Sequence, residues 1–299
     1  MPLEFILETP RNFVLETAVR GHGWYDLLPF RWNPETRSLA CVFQSTYGKK
    51  AAAGTISDAG DHVKIAVDSA APGRAKVERD VRHILRMDED MGEFYGIAEN
   101  VLGTHWVSKI GAGRLLRSAT VFEDMVKTMC TTNCSWALTR KMVENLVMKL
   151  GTPAGRNARG FPTAEAMASV DEEFYRNEIK AGYRSPYFLE LALRVTSGEI
   201  DPESFLYSDL PTPELKKEIK DIKGFGDYAA DNLLKLLGRY DGLALDSWLR
   251  SRYYDKHNQK KICPDKKILK HYGKFGKWQG LMIWCDMTED WFSEKIGKQ

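Results

Sequence analysis

Residues 213–237 read PELKKEIKDIKGFGDYAADNLLKLL, and they contain two short apolar-patterned segments joined by Gly224-Phe225-Gly226. Apolar residues recur at helical spacing on both sides of the glycines, which predicts two helices. The residues with this spacing are Leu215, Ile219 and Ile222 before the glycines, and Ala229, Ala230, Leu233, Leu234 and Leu237 after them. The stretch therefore predicts a helix-hairpin-helix unit over 213–237.

The turn between these helices has the properties of a phosphate-binding element. Glycines adopt backbone angles that other residues resist, and they let another molecule approach the main chain closely. The N–H groups at the start of the second helix point outward, where the helix dipole also favours an anion. Phe225 is expected to pack back between the two helices. We interpret Gly224, Phe225 and Gly226 as DNA-binding residues that hold a phosphate without reading sequence, with an ordinary helix–helix turn as the alternative.

Asp246 follows the hairpin by twenty residues, in the segment 243–249. It ends an apolar run and precedes a predicted helix, so capping of that helix is its structural interpretation. From this residue alone, capping is the favoured interpretation, and a functional role of the carboxylate stays open.

Along the rest of the chain, the spacing of the apolar residues changes once. Up to about residue 80, apolar residues alternate with polar or small ones, as in Leu39, Cys41 and Phe43, which predicts antiparallel strands. From there on the period is that of helices. We therefore predict an α+β protein with an antiparallel β domain over 1–80 and a helical domain over 81–299.

The motif and its flanks resemble the helix-hairpin-helix (HhH-GPD) DNA glycosylases, in their 8-oxoguanine and bacterial 3-methyladenine branch. The hairpin, followed by the apolar run and aspartate in LALDSW, is similar to the catalytic signature of that family. In chain order, the segments LLPFRW, TTNCSW and AGYRSPY resemble further parts of the family's sequence, which occur there in the same order. The resemblance implies a TATA-box-protein-like β domain against a two-part helical body. It implies that Asp246 is catalytic, Asn133 fills the gap left by a flipped base and Arg184 contacts the orphaned partner base.

Tyr228 bears on the type of chemistry. In the family's bifunctional members a lysine stands two residues after the second hairpin glycine, whereas here Asp227 and Tyr228 follow Gly226, and Lys223 and Lys235 are out of register. The resemblance thus implies a monofunctional enzyme without AP lyase activity. Tyr228, Trp136 and Trp248 are expected in the base pocket, where an aromatic face suits a cationic alkylated base. The leading hypothesis is excision of an alkylated or otherwise modified purine in base excision repair. The alternatives are an oxidised-purine glycosylase and a non-catalytic protein that binds damaged DNA.

Composition and charge limit the partners. Double-stranded DNA with a damaged base is the expected partner. Between Arg250 and Lys277 ten basic residues accompany two acidic ones, which could form a phosphate-binding patch. A solvated lysine-rich face is the commoner meaning of such a run, so the charge pattern alone does not decide between the two. No signal peptide and no membrane-spanning run is recognised, and the five cysteines lack disulfide-framework spacing. We expect an intracellular monomer, in the cytoplasm and nucleoid or in a nucleus, without membrane contact.

No cofactor is expected from these cysteines. Some members of the family hold an iron–sulfur cluster on four clustered cysteines after the catalytic Asp, but only Cys263 and Cys285 occur there. No metal site is predicted. The resemblance allows a monovalent cation on the hairpin carbonyls.

Overall fold

The N-terminal part of the chain forms one antiparallel sheet. The structure is a computed structural model that describes residues 1–45, 48 and 50–293. Its strands are β1 (Leu3–Glu8), β2 (Arg31–Asn33), β3 (Ser38–Gln44), β4 (Ala51–Asp58) and β5 (His62–Val67). They lie in the order β1-β5-β4-β3-β2. The alternation that predicted strands is confirmed in β3, where Leu39, Cys41 and Phe43 are buried.

Helices make up most of the remaining chain. They are α1 (Leu15–Arg20), α2 (Arg74–Ile84), α3 (Gly92–Glu99), α4 (His105–Lys109), α5 (Val121–Thr131), α6 (Trp136–Leu150), α7 (Ala164–Ala168), α8 (Glu172–Phe174), α9 (Ser185–Thr196), α10 (Thr212–Lys220), α11 (Asp227–Leu236), α12 (Ser247–His257), α13 (Asp265–Tyr272) and α14 (Gln279–Thr288). Short 3-10 helices occur at Gly23–Asp26, Gly182–Arg184, Pro202–Tyr207, Gly273–Trp278 and Glu289–Phe292, and one π-helix at Tyr175–Ile179. The predicted α+β class is confirmed.

The first eighty residues are less uniformly β than the alternation predicts. Helix α1 lies between β1 and β2, because Leu15, Ala18 and Val19 have helical spacing and are all buried. Helix α2 begins at Arg74 and runs across the predicted boundary between residues 80 and 81. That boundary stays a prediction. Within the described residues, no helix combines the length and apolarity needed to cross a bilayer.

The helical part is built around two apolar cores. One core joins the sheet to α2, α5, α6, α9, α10 and α11. The other joins α3, α4, α12, α13 and α14. Burial of apolar side chains is the main favourable term in folding, so each set of helices is stabilised as a unit. The chain visits the second core at α3 and α4, returns to the first at α5, and passes to the second again between α11 and α12, where the hairpin-to-Asp motif lies.

Arg86 links the two sets of helices at the end of α11. Its buried guanidinium donates to the carbonyls of Lys235 and Leu236 (2.7 and 2.5 Å), and to the Tyr240 hydroxyl (2.9 Å). The Glu89 carboxylate forms an ion pair with this guanidinium, with Oε2 2.7 Å from Arg86 Nη1. The last carbonyls of a helix have no partner within the helix and carry partial negative charge, so a cation placed there stabilises the helix end. Arg86 thereby fixes the position of the last turn of α11.

Candidate active site

The hairpin adopts the predicted helix-hairpin-helix geometry. Helices α10 and α11 flank it, and Phe225 is buried between them in the first core. Gly224 has φ of +94°, and a Cβ there would lie 2.8 Å from Met129 Sδ, so both the turn and the packing require glycine. Gly226 caps α11 without a side-chain hydrogen bond, and a Cβ on it would meet no atom within 4 Å. The surface beside Gly226 is therefore open at the start of α11, which leaves room for a phosphate there.

The predicted cation at the hairpin has carbonyl oxygens as its candidate ligands. The Phe225 N–H donates to the Ile222 carbonyl (3.1 Å), which closes the turn and leaves that oxygen one further lone pair. Carbonyl oxygen is a ligand type that hard cations accept. The donor type therefore fits, and the cation stays a prediction. No group of three or more His, Cys, Asp or Glu side chains in metal-binding geometry occurs among the described residues.

Asp246 caps helix α12. Its Oδ1 accepts the Leu249 N–H at 2.6 Å, which confirms the capping interpretation. Among the described residues, Oδ2 accepts no hydrogen bond, and Asp246 lines a cleft of about 1040 Å³. The cap bond holds the carboxylate in one orientation, so capping and a role in catalysis are compatible at this residue.

The cleft lies between the two cores and brings together five of the predicted site residues. Asp246 and Trp248 come from the start of α12, Tyr228 from the first turn of α11, and Asn133 and Trp136 from the start of α6 and the loop before it. These residues are separated by up to 115 positions in the sequence, from Asn133 to Trp248. Both groups of helices contribute to the wall, so the cleft exists only in the folded chain.

The two tryptophans form aromatic walls at the cleft. Trp136 is 39% exposed, and its Nε1 donates to Asp26 Oδ2 at 2.7 Å. Its ring lies over Gly23, where a Cβ would come within 2.8 Å of the ring. Trp248 is 37% exposed and packs against Trp284 and Trp291, with ring centroids 6.0 and 5.9 Å apart. Large partly exposed aromatic faces of this kind suit stacking on a base.

Tyr228 lies in the first turn of α11 and lines the cleft. Its hydroxyl is 3.5 Å from Thr131 Oγ1, and burial followed by the charge of Asp246 raises its pKa above the ordinary 10.0. The phenol is therefore neutral at pH 7, and it presents a ring and a hydroxyl to the cleft.

Arg184 is placed differently from the other predicted site residues. It is only 4% exposed, and its Nε donates to the Met129 carbonyl and to Thr132 Oγ1, both at 3.1 Å. Another guanidinium N–H donates to the Thr132 carbonyl. These bonds support the loop that carries Asn133, whose amide donates to the Tyr183 hydroxyl at 3.3 Å. The expected contact of Arg184 with an orphaned base stays a prediction.

Ion pairs use part of the basic segment 250–277. Four of its ten cations bind carboxylates; these are Arg250 with Asp265, Arg252 with Asp290, Lys256 with Asp286, and Lys277 with Glu93. The other six are lysines with exposed side chains on or near α13; these are Lys260, Lys261, Lys266, Lys267, Lys270 and Lys274. The charge available for DNA is therefore smaller than the sequence count indicates. The phosphate-binding interpretation stays a prediction for these six.

Three residues at or near the cleft are not assigned to the site by the sequence. His22 and Trp284 line it, and Lys235 is buried behind Trp284, with its Nζ 4.6 Å from the centroid of that ring. Lys235 is out of register for a hairpin lysine. However, it lies seven residues after Tyr228, two turns further along the same face of α11. That spacing is the one signal by which the sequence indicates it.

Burial changes the charge of two of these groups. Desolvation, followed by the positive charges of Lys235, Arg86 and Lys127, holds the pKa of His22 well below 6.5. Desolvation lowers the pKa of Lys235 from 10.5 to about 8, against the opposing charges of Asp246 and Asp231. At pH 7 the histidine is therefore neutral and the lysine is still protonated in most molecules.

Comparison with solved structures identifies the fold. A structure described as MBOgg1 with a low-affinity DNA ligand has a TM-score of 0.76 and 20% identity, over 98% of this chain and 96% of that one. The 3-methyladenine DNA glycosylase of Archaeoglobus fulgidus has a TM-score of 0.76 and 16% identity, over 96% of this chain and 99% of that one. The 8-oxoguanine glycosylase/lyase of Clostridium acetobutylicum has a TM-score of 0.72 and 18% identity, over 96% of this chain and 98% of that one.

No family model matches the sequence, and no curated protein matches it. The structural likeness nevertheless covers nearly the whole chain and includes glycosylases described for two different lesions, so the backbone does not choose between lesions. It agrees with the resemblance found in the hairpin and in the aspartate that follows it. The chain has the fold of the helix-hairpin-helix DNA glycosylases.

Proposed function

We propose that this protein is a monofunctional DNA glycosylase of base excision repair, which hydrolyses the N-glycosidic bond of a damaged purine and leaves an abasic site. The observation that supports it most is the position of Asp246, whose carboxylate caps α12 and lines a cleft at the junction of the two cores. The hairpin opens α11, and the first turn of the same helix lines that cleft. A phosphate held at the hairpin would therefore place its strand beside the carboxylate.

The chemistry follows from these positions. A base inside a duplex is out of reach, so the enzyme must turn the nucleotide out of the stack, at a cost of about a few kcal/mol that is smaller at a damaged pair. Loss of the base leaves positive charge on the sugar, as in other glycoside hydrolyses. The Asp246 carboxylate stabilises that charge and orients or deprotonates the attacking water. Trp136, Trp248 and Tyr228 provide aromatic surfaces for the extruded base.

The absence of lyase activity belongs to the same proposal. A lyase needs an uncharged amine that reaches the sugar, and the hairpin position for it holds Tyr228. Lys235 is 2% exposed and sits against the Trp284 ring, away from solvent. Hydrolysis by water is therefore the reaction that these side chains support.

Single-turnover excision tests the proposal. Wild type and Asp246→Asn are incubated with duplex oligonucleotides that each carry one lesion: alkylated adenine, hypoxanthine, 8-oxoguanine or uracil. Asn caps a helix about as well as Asp, so this variant keeps the fold and removes only the charge. We expect strand breaks only after hot alkali, at a rate that falls about 10²- to 10⁴-fold in the variant.

Other outcomes would change the proposal. Breaks without alkali, or trapping of protein on DNA by borohydride, would show lyase activity. Salt-sensitive DNA binding without excision of any lesion would favour a non-catalytic protein that binds damaged DNA. Equal rates for wild type and Asp246→Asn would remove the carboxylate from the mechanism.

A further inference from the structure

The Trp136 ring is held at the cleft by two residues of a segment far from it in the sequence. Its Nε1 donates to Asp26 Oδ2 at 2.7 Å, and its ring lies over Gly23. All three residues line the cleft. Gly23 and Asp26 are the first and last residues of a 3-10 helix, and Asp26 precedes Trp136 by 110 positions. The wall that Trp136 provides therefore depends on the N-terminal part of the chain.

The 3-10 helix is itself fixed to the helical body. Trp24, in its middle, donates from Nε1 to Asp124 Oδ1 at 2.7 Å, and these two residues are only 4% and 2% exposed. The same oxygen of Asp124 accepts the Ser118 N–H at 2.9 Å. Breaking a buried hydrogen bond leaves an unsatisfied polar group and costs free energy, so the 3-10 helix is held against α5. It is a rigid support for the Trp136 ring.

Gly23 admits the ring because it has no side chain. A Cβ there would lie 2.8 Å from Cη2 and 3.2 Å from Cζ2 of Trp136. The φ of Gly23 lies outside the left-handed region, so the backbone conformation would accept another residue. Close approach of the indole is therefore the reason why glycine is needed at this position.

Asp26 ties the first turn of α6 to the 3-10 helix at two points. Besides the Trp136 indole, its Oδ2 has Arg140 Nε at 3.5 Å. Arg140 follows Trp136 by four residues, so both side chains leave the same face of α6. An indole N–H is a donor only, and its bond to a carboxylate is charge-assisted and directional. The carboxylate therefore fixes the orientation of the ring.

A second cavity gives the ring another place to go. It has a volume of about 960 Å³ and shares Tyr25 and Asp26 with the cleft. Ala137 and Arg140, which follow Trp136 on α6, also line it. Trp136 is 39% exposed, so core packing alone does not hold the indole on the side of the cleft. The hydrogen bond to Asp26 does.

We propose that Asp26 is a positioning residue, which holds the Trp136 ring in the orientation in which it stacks on the extruded base. The inference rests on the proposed function and deepens it, because it adds Asp26 and Gly23 to the residues on which acceptance of the base depends. Asp26 acts through Trp136 and does not touch the base.

Stacking affects one step of the reaction more than the others. DNA is held mainly at its phosphates, whereas the base meets Trp136 only after it has left the duplex. Stacking on an aromatic side chain stabilises the extruded state by about 10- to 100-fold. Loss of the stacked orientation should therefore lower the maximal rate of excision and leave the protein concentration that gives half of this rate unchanged.

The test compares two replacements of Asp26 that differ in one property. Asp26→Asn keeps an oxygen that can accept the indole N–H, although it loses the charge that faces Arg140. Asp26→Leu has a similar size and no acceptor. Gly23→Ala displaces the ring from its other side. The control is Asp88→Leu, which removes an exposed aspartate from a surface ion pair with Arg82.

Two quantities are measured on each protein. The first is the single-turnover rate of excision as a function of protein concentration, on whichever duplex of the lesion set above wild type cuts fastest. The second is the fluorine NMR spectrum of protein labelled with fluorotryptophan, in which the signal of Trp136 is assigned with Trp136→Phe. The second measurement needs no substrate.

We expect Asp26→Leu and Gly23→Ala to lose about 10-fold or more in maximal rate, with the half-saturating concentration within about twofold of wild type. Both should shift the fluorine signal of Trp136 and leave most other tryptophan signals in place. Asp26→Asn should restore the Trp136 signal and bring the rate to within about threefold of wild type, as should the control.

Four results would overturn the inference. Asp26→Asn as slow as Asp26→Leu would show that the charge matters and the tether does not. A shifted Trp136 signal with an unchanged rate would show that the ring does not stack on the base. Shifts of most tryptophan signals, with a raised half-saturating concentration, would show a general structural role. An unshifted Trp136 signal in Asp26→Leu would show that Asp26 does not position the ring.

These results leave the proposed function intact, because wild type excises a lesion in each of them. If wild type excises none of the lesions, the proposed function fails, and the inference fails with it whatever the fluorine signals show.

Discussion

Replacing Lys235 with methionine should stabilise the protein, because it removes an unpaired buried charge. Methionine has nearly the length of lysine and keeps the apolar stem, but it carries no charge into the core. The measurable quantity is the free energy of unfolding, obtained from urea denaturation followed by tryptophan fluorescence at several pH values.

The magnitude follows from the environment of Lys235. Desolvation lowers its pKa from 10.5 to about 8. At about 1.4 kcal/mol per pKa unit, the buried charge costs about 3 kcal/mol at pH 7. The contact with the Trp284 ring returns about 1 kcal/mol, which the variant loses. Desolvation is the larger effect, so Lys235→Met should be more stable than wild type by about 2 kcal/mol at pH 7.

The difference in the free energy of unfolding between Lys235→Met and wild type should depend on pH. Below pH 8 the lysine is charged in both the folded and the unfolded chain, and the cost of its burial is fully present. Between about 8 and 10.5 the folded protein has lost this proton while the unfolded chain still binds it. The free energy of unfolding of wild type should therefore rise over this interval relative to that of the variant, and the advantage of Lys235→Met should shrink as pH rises.

The control is Lys149→Met, which removes an exposed lysine from a surface ion pair with Glu178. It should change the free energy of unfolding by less than about 0.5 kcal/mol at every pH. A variant Lys235→Met that is less stable than wild type at pH 7, or whose difference from wild type does not depend on pH, would refute the reasoning.

Three other predictions concern the hairpin and the helix cap. Asp246→Ala removes the bond to the Leu249 N–H and should lower the free energy of unfolding by about 1 kcal/mol, whereas Asp246→Asn should not; equal stability of the two variants would contradict the cap. Gly226→Thr adds a side chain in open space, at a position where Thr caps a helix about as well as Gly, so the thermal unfolding temperature should be nearly unchanged. Binding to abasic-analogue DNA, measured by anisotropy titration, should be about tenfold weaker. Unaltered binding would place the phosphate elsewhere. Phe225→Ala should cost about 3 to 5 kcal/mol in urea denaturation, since the ring is buried in the core, and a loss below 1 kcal/mol would mean that the site collapses around the gap.

Local patterns in the sequence predicted the hairpin and the cap correctly because both depend on neighbouring residues. Two glycines around one apolar residue, between two apolar faces of helical period, leave few arrangements other than a hairpin with Phe225 inside it. An aspartate between an apolar run and a helix caps that helix because its side chain accepts a backbone N–H three residues further on. The same local logic predicted the alternating strands. It failed at α1 and at the 3-10 helix Gly23–Asp26, which interrupt the β region, and at α2, which begins before residue 80.

The composition of the cleft was decided by tertiary structure. His22 precedes a short 3-10 helix near the N-terminus, Thr128 lies in α5 and Trp284 in α14, and Lys235 of α11 is buried behind Trp284. No local pattern relates these residues, because their proximity arises from the packing of two cores against each other. The charge of Lys235 is also a tertiary property, since an exposed lysine would titrate near 10.5 and find water as its partner. The sequence by itself determined the fold and the place of Asp246, whereas only burial in the folded chain made Lys235 an unpaired buried donor.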